Sequence, residues 1–223
     1  MPDVRLQEAA NTMTKKRESV LFVPGQPLED IVLNWVGKPD EELDVYAQAF
    51  HEAARHLLRN FGELVVPPNL QALPIVFLYR HSLELYLKAV ILAGDKHLQW
   101  HGQPPVSRDD IFTTHRLTDL LRDLERVFLA ADLAWNFGAD HCRTRNQFVA
   151  ILEEFDAVDP KASNFRYPVD REGQGALPSH FSFDLPSFCV RLDPILECLD
   201  GSVTSLDERF QGMTEAAAES YDP

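Results

Sequence analysis

Four polar side chains occur at helical spacing inside an otherwise apolar stretch, residues 74–92. Arg80, His81, Glu84 and Lys88 fall within one narrow sector of a helix that turns about 100° per residue, while leucine, valine and alanine cover most of the remaining surface. A helix that is apolar nearly all round is normally buried, and buried charges are costly without partners. These four residues, here called the polar seam, therefore need partners from other parts of the fold.

Glu84 is the centre of the seam, because Arg80 precedes it by four residues and Lys88 follows it by four. Both cations can pair with it along one helix face, the second in the favoured order of glutamate before lysine. One interpretation is a self-contained structural ladder of ion pairs. The other is a seam that recognises an anion.

His115 is the best candidate for a general base. It stands where a helix is predicted to begin, and the positive end of a helix dipole favours the neutral imidazole, which can accept a proton. The alternative is a structural histidine that satisfies a backbone or carboxylate partner at the helix start.

Arg166 occupies an unusual loop sequence, Ser163–Asp170, in which it lies between two aromatic residues and shortly before a proline. A stacked, rigid guanidinium could bind a carboxylate or a phosphate. Arginine is equally suited to internal ion pairs, so Arg166 could instead close the fold by pairing with Glu84 or Asp159. Both interpretations stay open at this point.

Other chemical signals are weak. His97 and His101 have the spacing of two zinc ligands on a helix, but no third ligand has suitable spacing nearby, and no metal site is predicted. The chain also lacks a glycine-rich phosphate loop, a GxSxG elbow and a paired-cysteine motif. Neither a cofactor nor a hydrolase or nucleotide-triphosphatase activity is expected.

The chain is strongly acidic, with a formal net charge of -14. Such a field repels phosphate backbones, so bulk nucleic-acid binding is disfavoured while a local pocket is not. The three cysteines form no CxxC pair, which suits a reducing compartment. The polar start lacks the apolar run of a signal peptide, and no apolar stretch of roughly 18 residues could span a bilayer. We expect a cytoplasmic protein with no membrane contact.

Hydrophobic periodicity predicts five amphipathic helices and little strand, which together favour an all-α bundle. The predicted organisation is an N-terminal arm or strap (1–38), a helical domain (39–211) and a disordered acidic tail (212–223). The first three helices are predicted from about Asp40 to Gly62, from the linker at Pro67 and Pro68 to about Gly94 with room for a further turn before Gly102, and from a cap at Thr113 or Thr114 through Phe128. The last two are predicted from about Asp140 to Ala157 and from an N-cap at Asp184 to Gly201, after which Ser205–Phe210 could add one turn.

Three segments, in this order, resemble the HEPN superfamily: Tyr79–Ala89, the triplet His115–Leu117 at a helix start, and Phe165–Asp170. The likeness is closest to HEPN domains with an E-x-x-L-K-A run, a following His-x-Leu and a later Arg-Tyr-Pro-x-Asp stretch. The resemblance implies an all-α bundle, often a homodimer, found in prokaryotic toxin–antitoxin, anti-phage and RNA-processing systems. Many members are metal-independent endoribonucleases with an Arg-x4-6-His motif.

In this chain Arg108 and His115 have that spacing, but they fall in a loop and at a helix start instead of at the family's catalytic position. We therefore expect a non-catalytic HEPN-like module that binds a partner protein, a nucleotide or RNA. The alternatives are a divergent endoribonuclease and a purely structural dimerisation protein. The candidate site residues are His115 and Arg166 for catalysis, and Arg80, His81, Glu84, Lys88, Tyr167 and Asp170 for binding.

Overall fold

The computed structural model of the chain describes Leu21, residues 42–63 and residues 65–219. Helices make up 67% of this part and it contains no β-strand, so the expected all-α bundle is confirmed. The predicted arm or strap, residues 1–38, lies outside the described residues except for Leu21.

Six α-helices and one 3-10 turn follow one another in the described part. They are α1 (Leu43–Arg59), α2 (Pro68–Trp100), α3 (Arg108–Thr113), the 3-10 turn (Leu117–Leu120), α4 (Leu121–Ala130), α5 (Arg145–Val158) and α6 (Leu185–Glu219).

Helix α2 lies at the centre of the bundle, as its nearly all-round apolar sequence predicts. Helices α1, α4 and α6 pack against it, and α5 packs against the 3-10 turn. The apolar face of α4, with Leu124 and Val127 fully buried, lies against α2 as expected. Among the described residues, no helix combines the length and the hydropathy that a membrane crossing requires.

The second helix does not end near Gly94, since α2 takes the further helical path that the sequence left open before Gly102 and continues to Trp100. Gly94 serves a different purpose: a Cβ atom added there would lie 2.1 Å from Cγ1 of Val127 on α4. The glycine allows α2 and α4 to approach closely, and burial of both helices outweighs its low helix propensity, about 1 kcal/mol.

The predicted cap of the third helix at Thr113 or Thr114 is also wrong. Both threonines lie at the end of the short helix α3, which occupies part of the predicted loop. The start of the 3-10 turn is instead capped from a distance by Asp156 of α5, whose two carboxylate oxygens accept hydrogen bonds from the backbone N–H groups of Leu117 (2.9 Å) and Thr118 (2.8 Å).

Helix α6 begins as predicted, because Oδ2 of Asp184 accepts a hydrogen bond from the backbone N–H of Ser187 (2.8 Å). Its predicted end at Gly201 is wrong: the helix runs on to Glu219, so residues 212–219 are helical and not a disordered tail. The helix passes through Gly201 because burial of Val203 and Leu206 beyond it offsets the cost of one glycine.

Candidate functional site

The centre of the candidate site is a buried ladder of ion pairs on α2. Nη1 of Arg80 donates to Oε2 of Glu84 (2.9 Å), and Nζ of Lys88 donates to Oε1 of the same carboxylate (2.9 Å). The three side chains are 1%, 3% and 5% exposed, respectively. The structure thus contains the two ion pairs that the spacing of these three residues predicts.

Arg80 also joins α2 to two distant segments. Its Nη2 donates to the backbone carbonyl of His115 (2.6 Å), and its Nε lies 3.3 Å from both the backbone carbonyl and Oδ2 of Asp159, which follows α5. The guanidinium is fully buried among these partners and is not exposed to solvent. Its role is to hold the segments of His115 and Asp159 against α2.

His115 is the residue that this ladder presents to solvent. Its Nδ1 lies 3.0 Å from Oε1 of Glu84, while its side chain is 56% exposed. Burial alone would raise the pKa of Glu84, but hydrogen bonds from Lys88, Arg80 and His115 outweigh it and keep that pKa below its usual value. Glu84 is thus a carboxylate that only accepts, and the proton of the neutral imidazole must sit on Nδ1. The Nε2 lone pair is then available as a base.

The sequence placed His115 at the start of a helix, but the structure does not. The 3-10 turn begins two residues later, at Leu117, with Arg116 as its N-cap residue. The carboxylate of Glu84 and the guanidinium of Arg80 hold His115 instead, by its ring and by its carbonyl.

Arg166 is exposed and stacks on aromatic rings. Its guanidinium carbon lies 5.5 Å from the ring centroid of Phe77 on α2 and 5.7 Å from that of Tyr167, whose side chain is itself exposed. The expectation of a guanidinium held against aromatic side chains is confirmed for Tyr167, while the second ring is Phe77 and not the predicted Phe165.

Arg166 makes neither of the ion pairs expected of an internal anchor, because Arg80 makes both. Its backbone is nevertheless tied to the seam. Oδ1 of Asp159 accepts hydrogen bonds from the N–H groups of Ser163 (2.6 Å) and Asn164 (2.9 Å), and the carbonyl of Ser163 accepts one from the N–H of Arg166 (3.0 Å). The seam therefore positions the Arg166 loop through Asp159.

His81, the fourth seam residue, lies between two rings. Its imidazole stacks on Phe77 (centroids 5.7 Å apart, 6° between planes) and meets Phe50 edge-on at 4.6 Å. Burial lowers the pKa of His81, and the nearby Arg80 and Arg166 lower it further. His81 is thus a neutral aromatic group at physiological pH.

Asp170 does not join this cluster in the structure. Its Oδ1 accepts hydrogen bonds from the N–H groups of Glu172 (3.0 Å) and Gln174 (2.8 Å), two neighbours in its own exposed turn. The predicted binding role of Asp170 therefore has no geometric support, since its carboxylate closes a local turn.

The two exposed candidate residues, His115 and Arg166, contact the same side of helix α2. Phe77 and Glu84 are seven residues apart, which is two helical turns or about 10 Å along the axis, and His81 lies between them on the same face. Since Arg166 contacts Phe77 and His115 contacts Glu84, the two functional groups approach one helix face about two turns apart. We call this surface the His115–Arg166 face.

Asp156 and Asp159 are the residues that sequence reasoning missed or undervalued. Both are buried, at 6% and 0% exposure, and both hold backbone N–H groups of loops that form the site. Two aspartates three residues apart on and just after an apolar helix were the available signal, because carboxylates at such positions require nearby donors.

The structure supports no metal site in the part of the chain that it describes. No group of three or more histidine, cysteine, aspartate or glutamate side chains there could hold an ion. His97, one of the two weak zinc candidates, is buried, and its Nε2 is within hydrogen-bond distance of the carbonyl of Leu206 (2.8 Å).

Comparison with known proteins adds no relative. The chain matches no protein-family model, no curated protein and no solved structure.

Proposed function

We propose that this chain is a HEPN-like helical module of a prokaryotic defence or toxin–antitoxin system, and that its His115–Arg166 face binds RNA or a nucleotide without cleaving it. The observation that carries the proposal is the presentation of an exposed imidazole and an exposed guanidinium on one side of α2, next to the buried ion pairs of Arg80, Glu84 and Lys88. The order of the three HEPN-like segments supports the same assignment.

The chemistry of this face suits a phosphate-bearing ligand with an aromatic part. The planar guanidinium of Arg166 can form two parallel hydrogen bonds with a phosphate, and the exposed ring of Tyr167 offers a surface on which a base can stack. The overall charge of -14 opposes an extended nucleic-acid track. A short strand, an RNA end or a single nucleotide fits this balance better than a duplex.

Binding without cleavage is the preferred form, because the family's Arg-x4-6-His motif is displaced in this sequence. Arg80 is also unsuited to hold a scissile phosphate, because its side chain is buried inside the seam.

A second candidate, a metal-independent endoribonuclease, is favoured by the contact between His115 and Glu84. With the proton on Nδ1, the Nε2 atom of His115 could accept the proton of a ribose 2′-hydroxyl as that oxygen attacks the adjacent phosphorus. The P–O5′ bond would break, which leaves a 2′,3′-cyclic phosphate on one fragment and a 5′-oxygen on the other that takes a proton from solvent or from the resulting imidazolium. Arg166 would then stabilise the charge that develops on the phosphoryl oxygens.

One experiment separates these candidates: the protein is incubated in EDTA with transfer RNA, with a short labelled single-stranded RNA and with a labelled nucleoside monophosphate. Binding of all three and cleavage of the two RNAs are measured. We expect intact RNA, and binding weakened about tenfold by His115→Ala or Arg166→Ala, as loss of one phosphate contact predicts. His56→Ala and Arg59→Ala, at exposed positions of α1, are matched controls that should bind like the wild type.

Cleavage by the wild type that His115→Ala abolishes would establish the endoribonuclease instead. Equal affinity of all variants, or no binding of RNA or nucleotide at all, would contradict the proposal and leave the structural dimerisation protein.

The proposal also includes a cytoplasmic location and association with a second copy or another protein, as in many HEPN modules. The free state of Cys142, Cys189 and Cys198 agrees with a reducing compartment. Light scattering after size-exclusion chromatography should give about twice the mass of one chain for a homodimer, and a mass of one chain would contradict self-association.

A further inference from the structure

A second candidate site lies between α5, α6 and the loop that connects them. A cavity of about 530 Å³ opens there, within the range of about 300–1,000 Å³ that is typical of small-molecule sites. Most of its lining is apolar, and phenylalanine is its commonest residue: Phe155, Phe165, Phe181, Phe183 and Phe188.

Four of these rings form one continuous aromatic wall. The centroid of Phe188 lies 5.9 Å from that of Phe155 and 5.5 Å from that of Phe183, which in turn lies 5.5 Å from that of Phe181. The last two side chains are 42% and 40% exposed, so the described part of the chain leaves this end of the wall open to solvent. A ligand could enter there and remain in contact with rings.

The charged residues of the lining are mostly acidic. Glu154 and Asp184 contribute carboxylates and Arg191 contributes a guanidinium, while His141 is held by its Nε2, 2.9 Å from the backbone carbonyl of Arg191. The hydrogen bond from Ser187 keeps the pKa of Asp184 below its usual value, so that carboxylate is charged at neutral pH. The electrostatic balance of the cavity is thus negative, as is the whole chain.

We propose that this cavity binds a small organic ammonium ion with an aromatic or aliphatic body. The faces of phenyl rings carry partial negative charge and attract cations, and two carboxylates at the same cavity reinforce that preference. The apolar lining accepts the body of the ligand. Neither His115 nor Arg166 lines this cavity, so the inference does not depend on the function proposed for their face.

Three probes of one shape and different charge test the proposal on the full chain: phenylpropylammonium, phenylpropanol and phenylpropionate, each titrated by calorimetry. We expect the ammonium to bind with a Kd of about 1 mM or below, about tenfold more tightly than the alcohol, and the carboxylate to bind most weakly. The proposal is overturned if none of the three binds, or if the alcohol or the carboxylate binds as tightly as the ammonium.

Two variants then locate the binding. Glu154→Gln, at an exposed position of α5, should weaken the ammonium about threefold and leave the alcohol unchanged. Ala157→Phe places a large side chain at a lining position and should abolish binding of both probes, whereas Ala150→Phe, on the same helix but outside the lining, should bind like the wild type. Circular dichroism checks that each variant folds. Unchanged binding by Ala157→Phe would overturn the proposed location.

Discussion

Glu84 accepts hydrogen bonds from three side chains at once, and two of the donors, Arg80 and Lys88, are buried cations. A buried pair of charges contributes little net stability compared with apolar residues, but loss of one partner leaves the others uncompensated. Glu84 is therefore the residue on which the integrity of the site depends most.

Glu84→Gln should lower the free energy of unfolding by about 3–5 kcal/mol at neutral pH, because two buried cations lose their common counter-charge. Urea denaturation followed by circular dichroism measures this loss. The matched control is Glu153→Gln at an exposed position of α5, with an expected change within about 0.5 kcal/mol. A loss below about 1 kcal/mol for Glu84→Gln would show that Arg80 and Lys88 do not depend on Glu84 for charge compensation.

The same carboxylate should make stability depend on pH in the acid range. Its pKa in the folded protein is below that of an unfolded glutamate, about 4.3, so its contribution is fully present above that value and is lost as pH falls through the folded pKa. The difference in unfolding free energy between the wild type and Glu84→Gln should thus be constant from about pH 7 to pH 5 and shrink below about pH 4. Denaturation curves over this range measure it, and a difference that grows on acidification would contradict the assigned direction.

The sequence predicted side-chain contacts within one helix well, but it predicted contacts between distant segments poorly. The spacing of Arg80, Glu84 and Lys88 fixes their contacts within a single helix, and the structure contains them. The choice between Arg80 and Arg166 as the partner of Asp159 depends on how separate segments pack, which no spacing along the chain reveals. The aromatic residues beside Arg166 in the sequence correctly indicated that its guanidinium stacks on aromatic rings. They did not indicate that one of these rings belongs to Phe77 on α2.

Among the helices, the contact between α2 and α4 depends on Gly94. Its position under Val127 leaves no room for a Cβ atom, whereas Gly201 in α6 has open space around it. The two glycines therefore have opposite roles, although each lies inside a helix and each was predicted to end one.

Gly94→Ala should destabilise the protein by about 1–3 kcal/mol, because the added methyl group forces α2 and α4 apart. Gly201→Ala is the matched control and should stabilise the protein by about 0.5–1 kcal/mol, through helix propensity alone. Thermal denaturation of the two variants and the wild type compares them. A stabilised Gly94→Ala variant would mean that the two helices do not approach as closely as described.

The capping of the 3-10 turn by Asp156 of α5 can be tested in the same way. Asp156→Ala should cost about 1–3 kcal/mol, because two buried backbone N–H groups lose their acceptors. Thr114→Ala, at the position that the sequence suggested as the cap, should cost no more than about 0.5 kcal/mol. Chemical denaturation measures both, and the reverse order would restore the sequence-based assignment.

The errors in helix ends share one physical cause. Glycine and threonine act locally as stop and start signals, but burial of Val203 and Leu206, or the close approach of two helices at Gly94, overrides them. The existence of the long helices was predictable because apolar periodicity reports burial directly. Their ends were not, because they depend on contacts with other helices.

At the scale of the whole molecule, an acidic helical bundle presents its exposed cation and imidazole on one side of its central helix. The all-α class followed from five amphipathic helices, and the structure confirms it. The segments around His115 and Arg166 converge on helix α2. The only sign of this in the sequence was that the charged residues of an apolar helix need partners from other segments. The Phe-lined cavity has no counterpart in the sequence signals, because its walls come from separate segments.

We infer that the buried seam holds His115 by a hydrogen bond from its Nδ1–H to the carboxylate of Glu84, and that His115 and Arg166 together form a ligand-binding face. Two-bond ¹H–¹⁵N NMR spectra of histidine-labelled protein at neutral pH, with and without a short 5′-phosphorylated RNA, test it most directly. We predict the Nδ1–H tautomer for His115 in the free protein and a shift of its Nε2 signal on addition of RNA, which Arg166→Ala reduces and Arg59→Ala does not. An Nε2–H tautomer, or an Nε2 signal that RNA leaves unchanged, would contradict the claim.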